Sequence, residues 1–346
     1  MRTITIFLSL LVLSTTVINA IDYTKKQEVK SFIEMMNKEF NYNEKYLNKL
    51  FSNIREDPKV KSKKIKVQKK VVTNKEPKPQ GSWDIYSRTH IENNQTKLGV
   101  EFMHKHKKIF KKAQKKYGVP PEYITAIIGI ESYYGKNRGR YYVLDVLAHK
   151  AFGENQRKKF YQYELQEFLR MCYREQIEPR RIKGSESGAI GLAQFMPSNY
   201  KSLAVDFDNN GKIRISSPND AIGSVANYFK KSGWRADEPV STRVRYKGNR
   251  FNGLETGTKF KYKRKNLTNI SPRRYFPYRD EVHLIKLERE KYDELWYGAH
   301  NFYVITRYNH SSYYAMAVHQ LAEKIKASYL KKYKKHKKNK LYLAKK

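Results

Sequence analysis

The stretch Ile-Ile-Gly-Ile-Glu-Ser-Tyr-Tyr-Gly at residues 127 to 135 ends an apolar run on a carboxylate. In a helix, Ile127 and Ile128 would share a face with Glu131, since they precede it by four and three residues. Partial removal from water raises the pKa of a carboxyl group, because its charged form loses hydration. Such a carboxyl can deliver a proton near neutral pH. A solvated or ion-paired structural glutamate is the alternative, and Glu131 taken alone favours that alternative.

A second stretch, residues 184 to 198, reads Gly-Ser-Glu-Ser-Gly-Ala-Ile-Gly-Leu-Ala-Gln-Phe-Met-Pro-Ser. Its three glycines within eight residues permit positive φ angles and close backbone approach. Gln194 is a neutral donor and acceptor that suits an amide or a hydroxyl. A helix-packing motif is the alternative for this stretch alone. The two stretches together favour a binding loop near a catalytic acid.

The sequence resembles the B-type lytic murein transglycosylases, over roughly residues 82 to 326. The resemblance is carried by ordered motifs that are long enough to make chance a poor explanation. These motifs are Tyr117-Gly118-Val119-Pro120-Pro121-Glu122, residues 128 to 132 with Tyr134-Gly135, Leu144-Asp145, Lys183-Gly184-Ser185, Gly188-Ala189, Gly191, residues 194 to 198, residues 220 to 229, residues 305 to 309, Ser311 and residues 313 to 316.

The resemblance implies a lyase that cuts the β-1,4 bond between N-acetylmuramic acid and N-acetylglucosamine in peptidoglycan. Glu131 matches the family's single catalytic acid and base, and the muramyl C6 hydroxyl attacks its own C1 to give a 1,6-anhydro end. No cofactor is expected for catalysis. A glycoside hydrolase usually needs a second carboxylate. Asp145, which is expected to cap or pair within its helix, and Glu186 are the nearby candidates, and we expect neither to serve.

The resemblance also implies a saccharide cleft, in which Tyr rings suit sugar stacking. Tyr308 is additionally expected to orient Glu131. Core packing is the alternative for any single Tyr. The sequence departs from the family at Gln156, where a second Arg is common, and at Phe160, where a Tyr is common. The cleft residues implied are Ser185, Gln194, Tyr228, Tyr308, Asn309 and Tyr314, with Tyr86 and Arg157 as less secure matches.

Residues 206 to 220 read Asp-Phe-Asp-Asn-Asn-Gly-Lys-Ile-Arg-Ile-Ser-Ser-Pro-Asn-Asp, which matches the first half of an EF-hand loop. The twelfth position is Ser217, so the usual bidentate Glu is missing. The family carries a calcium loop here, which favours structural Ca²⁺ over a plain turn, with sodium or no ion as alternatives. The expected ligands are Asp206, Asp208, Asn210, the Lys212 carbonyl and Asp220, which substitutes for the missing Glu.

The net charge of +38, from 71 Lys and Arg against 33 Asp and Glu, predicts attraction to a polyanion. The first twenty residues resemble a secretory signal, with Ile18 and Ala20 as a cleavage site. An uncleaved anchor is the alternative. No Cys near residue 20 could carry a lipid, and no later segment approaches the length of a membrane span. We therefore expect a location in the periplasm, or on the periplasmic face of the outer membrane, of a Gram-negative bacterium.

This location makes nucleic acid an unexpected partner and anionic envelope polymers, beside peptidoglycan glycan strands, the expected ones. The single cysteine, Cys172, is expected to be a buried apolar residue. The alternatives to the lyase are a muramidase on the same core, which differs only in its products, and a non-catalytic basic protein that binds the cell wall.

The expected fold is α+β and mainly α, with a lysozyme-like helical core, a small β-rich insert, and N- and C-terminal helices that pack together. Helical periodicity predicts helices at residues 96 to 117, 121 to 132, 141 to 152, 157 to 177, 218 to 231 and 311 to 329, and alternation predicts strands at 240 to 246, 259 to 262 and 281 to 288. The expected divisions are a signal (1–20), an N-terminal helical segment (21–57), a Lys/Pro-rich linker (58–80), a catalytic region (81–235), a β-rich subdomain (236–300), a return to the core with the C-terminal helix (301–330) and a disordered basic tail (331–346).

Overall fold

The computed structural model describes residues 20–56, 81–91, 93–248 and 251–334. The predicted signal, except for its last residue, the linker and residues 335 to 346 of the tail lie outside the described residues. Within the described residues, no helix is both long and apolar enough to cross a bilayer.

Helices dominate the described chain, as the sequence predicts. They are α1 (Gln27–Phe40), α2 (Glu44–Phe51), α3 (Ser82–His90), α4 (Asn93–Lys105), α5 (Lys107–Tyr117), α6 (Pro121–Ser132), α7 (Val143–Phe152), α8 (Lys158–Arg174), α9 (Pro197–Leu203), α10 (Pro218–Lys231), α11 (His300–Tyr308) and α12 (Ser312–Tyr329).

Helix α6 is the central helix of the core. Pro121 begins it, where a missing N–H costs little, and Tyr133 ends it in the left-handed conformation. Nine of its twelve residues are buried, since α4, α10 and α12 pack around it. A helix surrounded in this way needs apolar side chains on every face. The core therefore holds both ends of α6 in place, including the end that carries Glu131.

The strands form three small antiparallel sheets. β1 (Ala20–Ile21) pairs with β2 (Ile54–Arg55), and β3 (Tyr141–Tyr142) pairs with β4 (Lys183–Gly184). The third sheet has the order β6-β5-β8-β7 and makes up the insert. Its strands are β5 (Ser241–Tyr246), β6 (Ile270–Pro272), β7 (His283–Glu288) and β8 (Asp293–Gly298).

The insert has an apolar core of its own, separate from the helical one, that includes Val244, Leu284 and Tyr297. Asn301, which is fully buried, joins the two ends of the insert. Its amide nitrogen donates to the carbonyls of Arg235 (2.8 Å) and Glu238 (3.0 Å), and its Oδ1 accepts from the Arg235 N–H (2.9 Å). One side chain of the helical core thus fixes where the insert leaves and returns.

The structure corrects several expectations about single elements. The helix predicted over residues 96 to 117 is interrupted at His106, which separates α4 from α5. The strand predicted at 259 to 262 is reduced to one bridge between Tyr262 and Val282. Residues 331 to 334, which were expected to belong to the disordered basic tail, instead lie in a π-helical turn, Leu330–Lys334. Tyr333 in this turn stacks on His104 at 3.9 Å between ring centroids.

The helices at the two ends of the chain have different main partners. Phe32 of α1 and Phe51 of α2 pack on Phe152 at the end of α7. The C-terminal helix α12 instead packs mainly on α4 and α6. Cys172 is buried, as expected, at 2% exposure.

Candidate active site

Glu131 occupies the last turn of α6, where the helix approaches the Gly-rich loop of residues 184 to 198. Burial raises the pKa of the Glu131 carboxyl from 4.5 to about 7. Oε1 of Glu131 accepts a hydrogen bond of 2.5 Å from the Tyr314 hydroxyl, which acts in the opposite direction and lowers the pKa. A carboxyl in this state exchanges a proton readily near neutral pH.

Two consecutive non-glycine residues in the left-handed conformation turn the chain sharply after the acid. They are Tyr133 (φ 51°) and Tyr134 (φ 58°). The Tyr134 hydroxyl donates to the Gln95 carbonyl at 2.9 Å, and its ring lies over Gly129. A Cβ at Gly129 would lie 2.6 Å from the Tyr134 hydroxyl oxygen. Gly129 therefore leaves the space that this turn requires.

Ser132, directly after the acid, joins α6 to the Gly-rich loop. Its Oγ donates to the Leu192 carbonyl at 2.8 Å and accepts from the Gly135 N–H at 3.1 Å. Ser132 is buried. Ser132 is not among the site residues predicted from the sequence. Its position next to Glu131 is the one sequence feature that could have suggested a role. No local pattern predicts that its hydroxyl donates to Leu192, which lies sixty residues later in the chain.

The Gly-rich loop adopts the positive φ angles that its composition predicts. Gly188 (φ 89°) and Gly191 (φ 76°) lie in the left-handed region. At Gly184 a Cβ would lie 2.2 Å from the Ala189 carbonyl oxygen, so only Gly permits this approach. Gln194 is also left-handed (φ 48°), and its amide nitrogen donates to the Gly191 carbonyl at 2.8 Å.

Ser185 holds the tip of this loop. Its hydroxyl accepts from the N–H groups of Ser187 (3.2 Å) and Ala189 (3.0 Å). The side chains of Ser185 and Gln194 thus shape the loop that borders Glu131, and both remain partly accessible.

Four of the predicted tyrosines gather around the acid. Tyr314 bonds Glu131, and the ring of Tyr308 lies parallel to that of Tyr314 at 6.4 Å. Tyr228 contacts Tyr308 at 4.6 Å between centroids. The charge of Glu131 contributes to raising the pKa of Tyr86, after the larger effect of burial. These rings and the Gly-rich loop enclose one wall of the site.

The expected role of Tyr308 in orienting Glu131 is wrong in detail. The Tyr308 hydroxyl donates to the Ala193 carbonyl of the Gly-rich loop at 2.5 Å, and Tyr314 makes the bond to Glu131. Both tyrosines lie close enough for the Glu131 charge to raise their pKa values, with burial as the larger cause. Tyr308 positions the loop, and Tyr314 positions the acid.

Asn309 and Arg157 have less direct positions. Asn309 is exposed at the end of α11, next to Tyr308. Arg157 is exposed at the start of α8, where its guanidinium lies over the rings of Phe160 (4.1 Å) and Tyr161 (5.9 Å). The contacts of the described residues thus place Arg157 with its neighbours on α8 rather than with the tyrosines.

Asp145 pairs with a different partner from the one expected. Its Oδ1 accepts from the Arg55 N–H at 3.2 Å, and its Oδ2 lies 3.7 Å from the Arg55 guanidinium. Arg55 belongs to β2, so the carboxylate ties α7 to the N-terminal segment rather than pairing within its helix. Glu186 is exposed at the tip of the Gly-rich loop.

The predicted metal loop brings three carboxylates together. Oxygen atoms of Asp206, Asp208 and Asp220 lie within 4.8 Å of one another. Oδ1 of Asp208 is buried and has no hydrogen-bond partner among the described residues. Repulsion among three carboxylates and an unpaired buried oxygen are features that a cation would relieve. The residues present therefore fit an oxygen-liganded cation.

The same loop also uses its oxygens internally. Asp206 accepts from the N–H groups of Asn210 (3.1 Å) and Gly211 (2.8 Å), and Asn210 Oδ1 accepts from the Lys212 N–H (3.0 Å). Asp220 is fully buried and accepts one backbone N–H on each oxygen.

The loop is connected to the acid by a short series of contacts. The Ile215 carbonyl accepts from the Leu192 N–H at 3.1 Å, and the Leu192 carbonyl accepts from the Ser132 hydroxyl. Ser132 follows Glu131 directly. A shift of residues 206 to 217 would therefore move Leu192 and, through it, the end of α6.

Comparison with known proteins agrees with this geometry. Residues 24–323 match the family described as Transglycosylase SLT domain. The membrane-bound lytic murein transglycosylase B of Escherichia coli (strain K12) is 36% identical over 314 residues, which cover 88% of this chain and 84% of that protein.

Solved structures extend the likeness to the fold. The E. coli lytic transglycosylase Slt35 in complex with calcium has a TM-score of 0.81 and 33% identity, over 92% of this chain and 98% of that one. SltB3 from Pseudomonas aeruginosa in complex with NAG-NAM-pentapeptide has a TM-score of 0.73 and 25% identity, over 87% of this chain and 80% of that one. These matches confirm the predicted mainly helical, lysozyme-like fold, and the chain belongs to the lytic transglycosylase family of the SLT domain.

Proposed function

We propose that this enzyme cleaves the β-1,4 bond between N-acetylmuramic acid and N-acetylglucosamine of peptidoglycan without using water as the nucleophile. The observation that carries this proposal is the state of Glu131. Burial raises the pKa of its carboxyl to about 7, the Tyr314 hydrogen bond lowers it in part, and no second acidic group of the described chain contributes. A single carboxyl of this kind suits a reaction in which the substrate supplies its own nucleophile.

Protonated Glu131 donates its proton to the glycosidic oxygen as the bond from that oxygen to muramyl C1 breaks. The carboxylate left behind stabilises the positive charge that develops at C1. The muramyl C6 hydroxyl then forms a bond to C1, and Glu131 takes the proton of that hydroxyl. The acid ends in the form in which it began, and the products are a 1,6-anhydro end and a free hydroxyl on the leaving sugar.

The Tyr314 hydroxyl supports both stages, because it holds Oε1 and stabilises the carboxylate form. We propose that Tyr86, Tyr228, Tyr308 and Tyr314 contact the saccharide along the wall that they form. Asn309 would contact it from the end of α11, and Ser185 and Gln194 would face it from the loop. Arg157 is a weaker candidate, since its contacts lie on α8.

Mass spectrometry of muropeptides released from purified peptidoglycan tests the reaction, with Glu131→Gln as the matched control. We expect products with 1,6-anhydromuramyl ends, one water lighter than reducing ends, and at least about a hundredfold less product from the variant. Reducing ends would make the protein a muramidase and would call for a second carboxylate. No release of muropeptides by either protein would favour a non-catalytic cell-wall-binding role instead.

We propose that Asp206, Asp208, Asn210, the Lys212 carbonyl and Asp220 hold a structural Ca²⁺. The carboxylate cluster and the unpaired Asp208 oxygen support this assignment, and a relative was solved with calcium. When bound, the ion would offset most of the negative charge of the three carboxylates. The residues themselves position Ile215 and, through it, the Gly-rich loop, so no step of the reaction passes through the ion.

We infer a location in the bacterial envelope, where the charge of +38 attaches the protein to anionic polymer. A relative is named as membrane-bound, and the predicted signal sequence supports export. Removal of residues 335 to 346, which carry six lysines, should weaken sedimentation with purified cell-wall sacculi, most strongly at low salt. Unchanged sedimentation of the shortened protein would contradict this role of the tail.

A further inference from the structure

A basic groove of about 1280 Å³ lies on the insert side of α11 and is lined by eight cationic side chains and two carboxylates. Residues of one face of α11, His300, Tyr303 and Arg307, form one wall, since they recur at helical spacing. Charges from the insert form the other wall. The cations that line it include Lys261, Lys263, Arg279 and Arg307.

The groove and the cleft share the C-terminal end of α11, since Arg307 and His310 line the groove while Tyr308 between them lies at the cleft. The Arg307 carbonyl accepts the Tyr228 hydroxyl, and Tyr308 is the next residue. The Arg307 side chain lines the groove, lies over the Tyr303 ring at 4.2 Å, and has a buried Nε without a hydrogen-bond partner among the described residues. One residue thus faces the sugar site with its backbone and the groove with its guanidinium.

Most of this charge is uncompensated. Arg235 pairs with Asp280 at 3.0 Å, but Lys261, Lys263 and Arg279 are exposed and lack ion-pair partners in the part of the chain that the structure describes. Lys261 and Lys263 flank Tyr262, whose backbone exchanges both hydrogen bonds with Val282. In extended backbone their side chains share a face about 7 Å apart. Cations at that spacing can meet carboxylates on alternate residues of an extended peptide.

We propose that this groove binds the carboxylates of the peptide stem on the muramyl sugar held in the adjacent cleft. The inference rests on the proposed function, because only a glycan in the cleft brings a stem to α11. Three features favour a stem over a lipid surface. The site is concave, it shares the end of α11 with the cleft wall, and its carboxylate Glu281 can meet a stem amine. A relative was solved with a sugar pair carrying a pentapeptide.

The test compares two substrates, glycan strands with their stems and strands from which an amidase has removed them. The groove variant combines Lys261→Glu, Lys263→Glu and Arg279→Glu. The control variant combines Lys30→Glu, Lys45→Glu and Lys159→Glu, which reverse three exposed charges on α1, α2 and α8. Both variants have the same net charge, so a general loss of polyanion attraction affects them equally.

We expect wild-type protein to have the lower KM for stem-bearing strands. The groove variant should raise that KM by about tenfold or more and leave kcat unchanged, because exposed ion pairs each contribute a few fold. Its KM for stripped strands should match that of the control variant. Cleavage of stripped strands also shows that the variant is folded and that the proposed reaction stands, whatever becomes of the groove.

Equal effects on both substrates, or no effect on either, would overturn the assignment. A groove variant that loses binding to phosphatidylglycerol vesicles while keeping its preference for stems would overturn it too, in favour of a membrane contact. If wild-type protein releases no anhydro product from either substrate, the proposed function is wrong. The groove proposal is then wrong as well, because no glycan in the cleft would bring a stem to it.

Discussion

The hydroxyl of Tyr314 donates a hydrogen bond of 2.5 Å to Oε1 of Glu131, a residue 183 positions earlier in the chain. The bond opposes the effect of burial on the Glu131 pKa, since it stabilises the charged form. Tyr314 is itself buried at 3% exposure, so the hydroxyl cannot be replaced freely by water. The pKa of Glu131 is therefore set by two opposing effects: burial raises it, and the Tyr314 hydrogen bond lowers it.

Tyr314→Phe should raise the pKa of Glu131, because the charged form loses its donor. Wild-type kcat/KM should fall as pH rises through about 7, where the proton needed by the leaving oxygen is lost. In the variant this fall should move to higher pH. A pH profile of anhydromuropeptide release measures both limbs. A fall that stays in place, or moves to lower pH, would contradict the assigned role of the bond.

Glu131→Gln should stabilise the fold above pH 7. The folded-state pKa of about 7 exceeds the ordinary 4.5, so the native state holds a proton between these values that the unfolded state has lost. This contribution is full below pH 4.5 and is lost as pH rises to 7. We expect a gain of about 1–2 kcal/mol in the free energy of unfolding at pH 8, less than the full pKa difference implies, because Glu131 remains partly accessible.

Urea denaturation at pH 4 and pH 8 measures this gain. The exposed Glu186→Gln is the control, and it should change stability by less than about 0.5 kcal/mol at either pH. A Glu131→Gln gain that is the same at both pH values would show that charge burial is not its cause.

Gly129→Ala should destabilise the protein although it replaces Gly within a helix. Helix propensity alone predicts a gain of about 1 kcal/mol. The new methyl group would overlap the Tyr134 ring, at 2.6 Å from its hydroxyl oxygen and 2.7 Å from Cζ. Tyr134 is held by its bond to Gln95, so we expect a net loss of about 1–3 kcal/mol in chemical denaturation. A stabilised variant would mean that Tyr134 moves aside at little cost.

Calcium should raise the melting temperature of the wild-type protein, and Asp208→Asn should remove most of this effect. At a hundredfold excess over the dissociation constant, binding to the native state alone adds about 2.7 kcal/mol. Differential scanning fluorimetry with Ca²⁺, Mg²⁺ or EDTA measures it, with the exposed Glu154→Gln as control. An equal response of the Asp208 variant would place the ion elsewhere.

The local elements were predictable wherever a short-range signal marked their ends. Pro121 begins α6 and Pro218 begins α10, and both helices have the predicted bounds. The break at His106 has no Gly or Pro to mark it, so α4 and α5 looked like one helix. Strand β8 was missed, because residues 293 to 298 do not alternate clearly.

The residues around the acid could be named from the family resemblance, but not their partners. Tyr308 and Tyr314 belong to the same short stretch, and only the three-dimensional fold decides which of them faces Glu131. Ser132 shows the same limit, since its partner Leu192 lies sixty residues away. A sequence pattern reports spacing along one element, whereas these bonds depend on how separate elements are placed.

The three hydrogen bonds of Asn301 affect how this fold can change during evolution. Three hydrogen bonds from one buried amide fix the points where the insert leaves and rejoins the helices, and the insert has its own core. The exposed parts of the insert can therefore lengthen, shorten or exchange surface charge without moving α6 or α11. Mutations in the insert can then change which stem-bearing glycan strands the enzyme prefers, while Glu131 and the residues that position it stay the same.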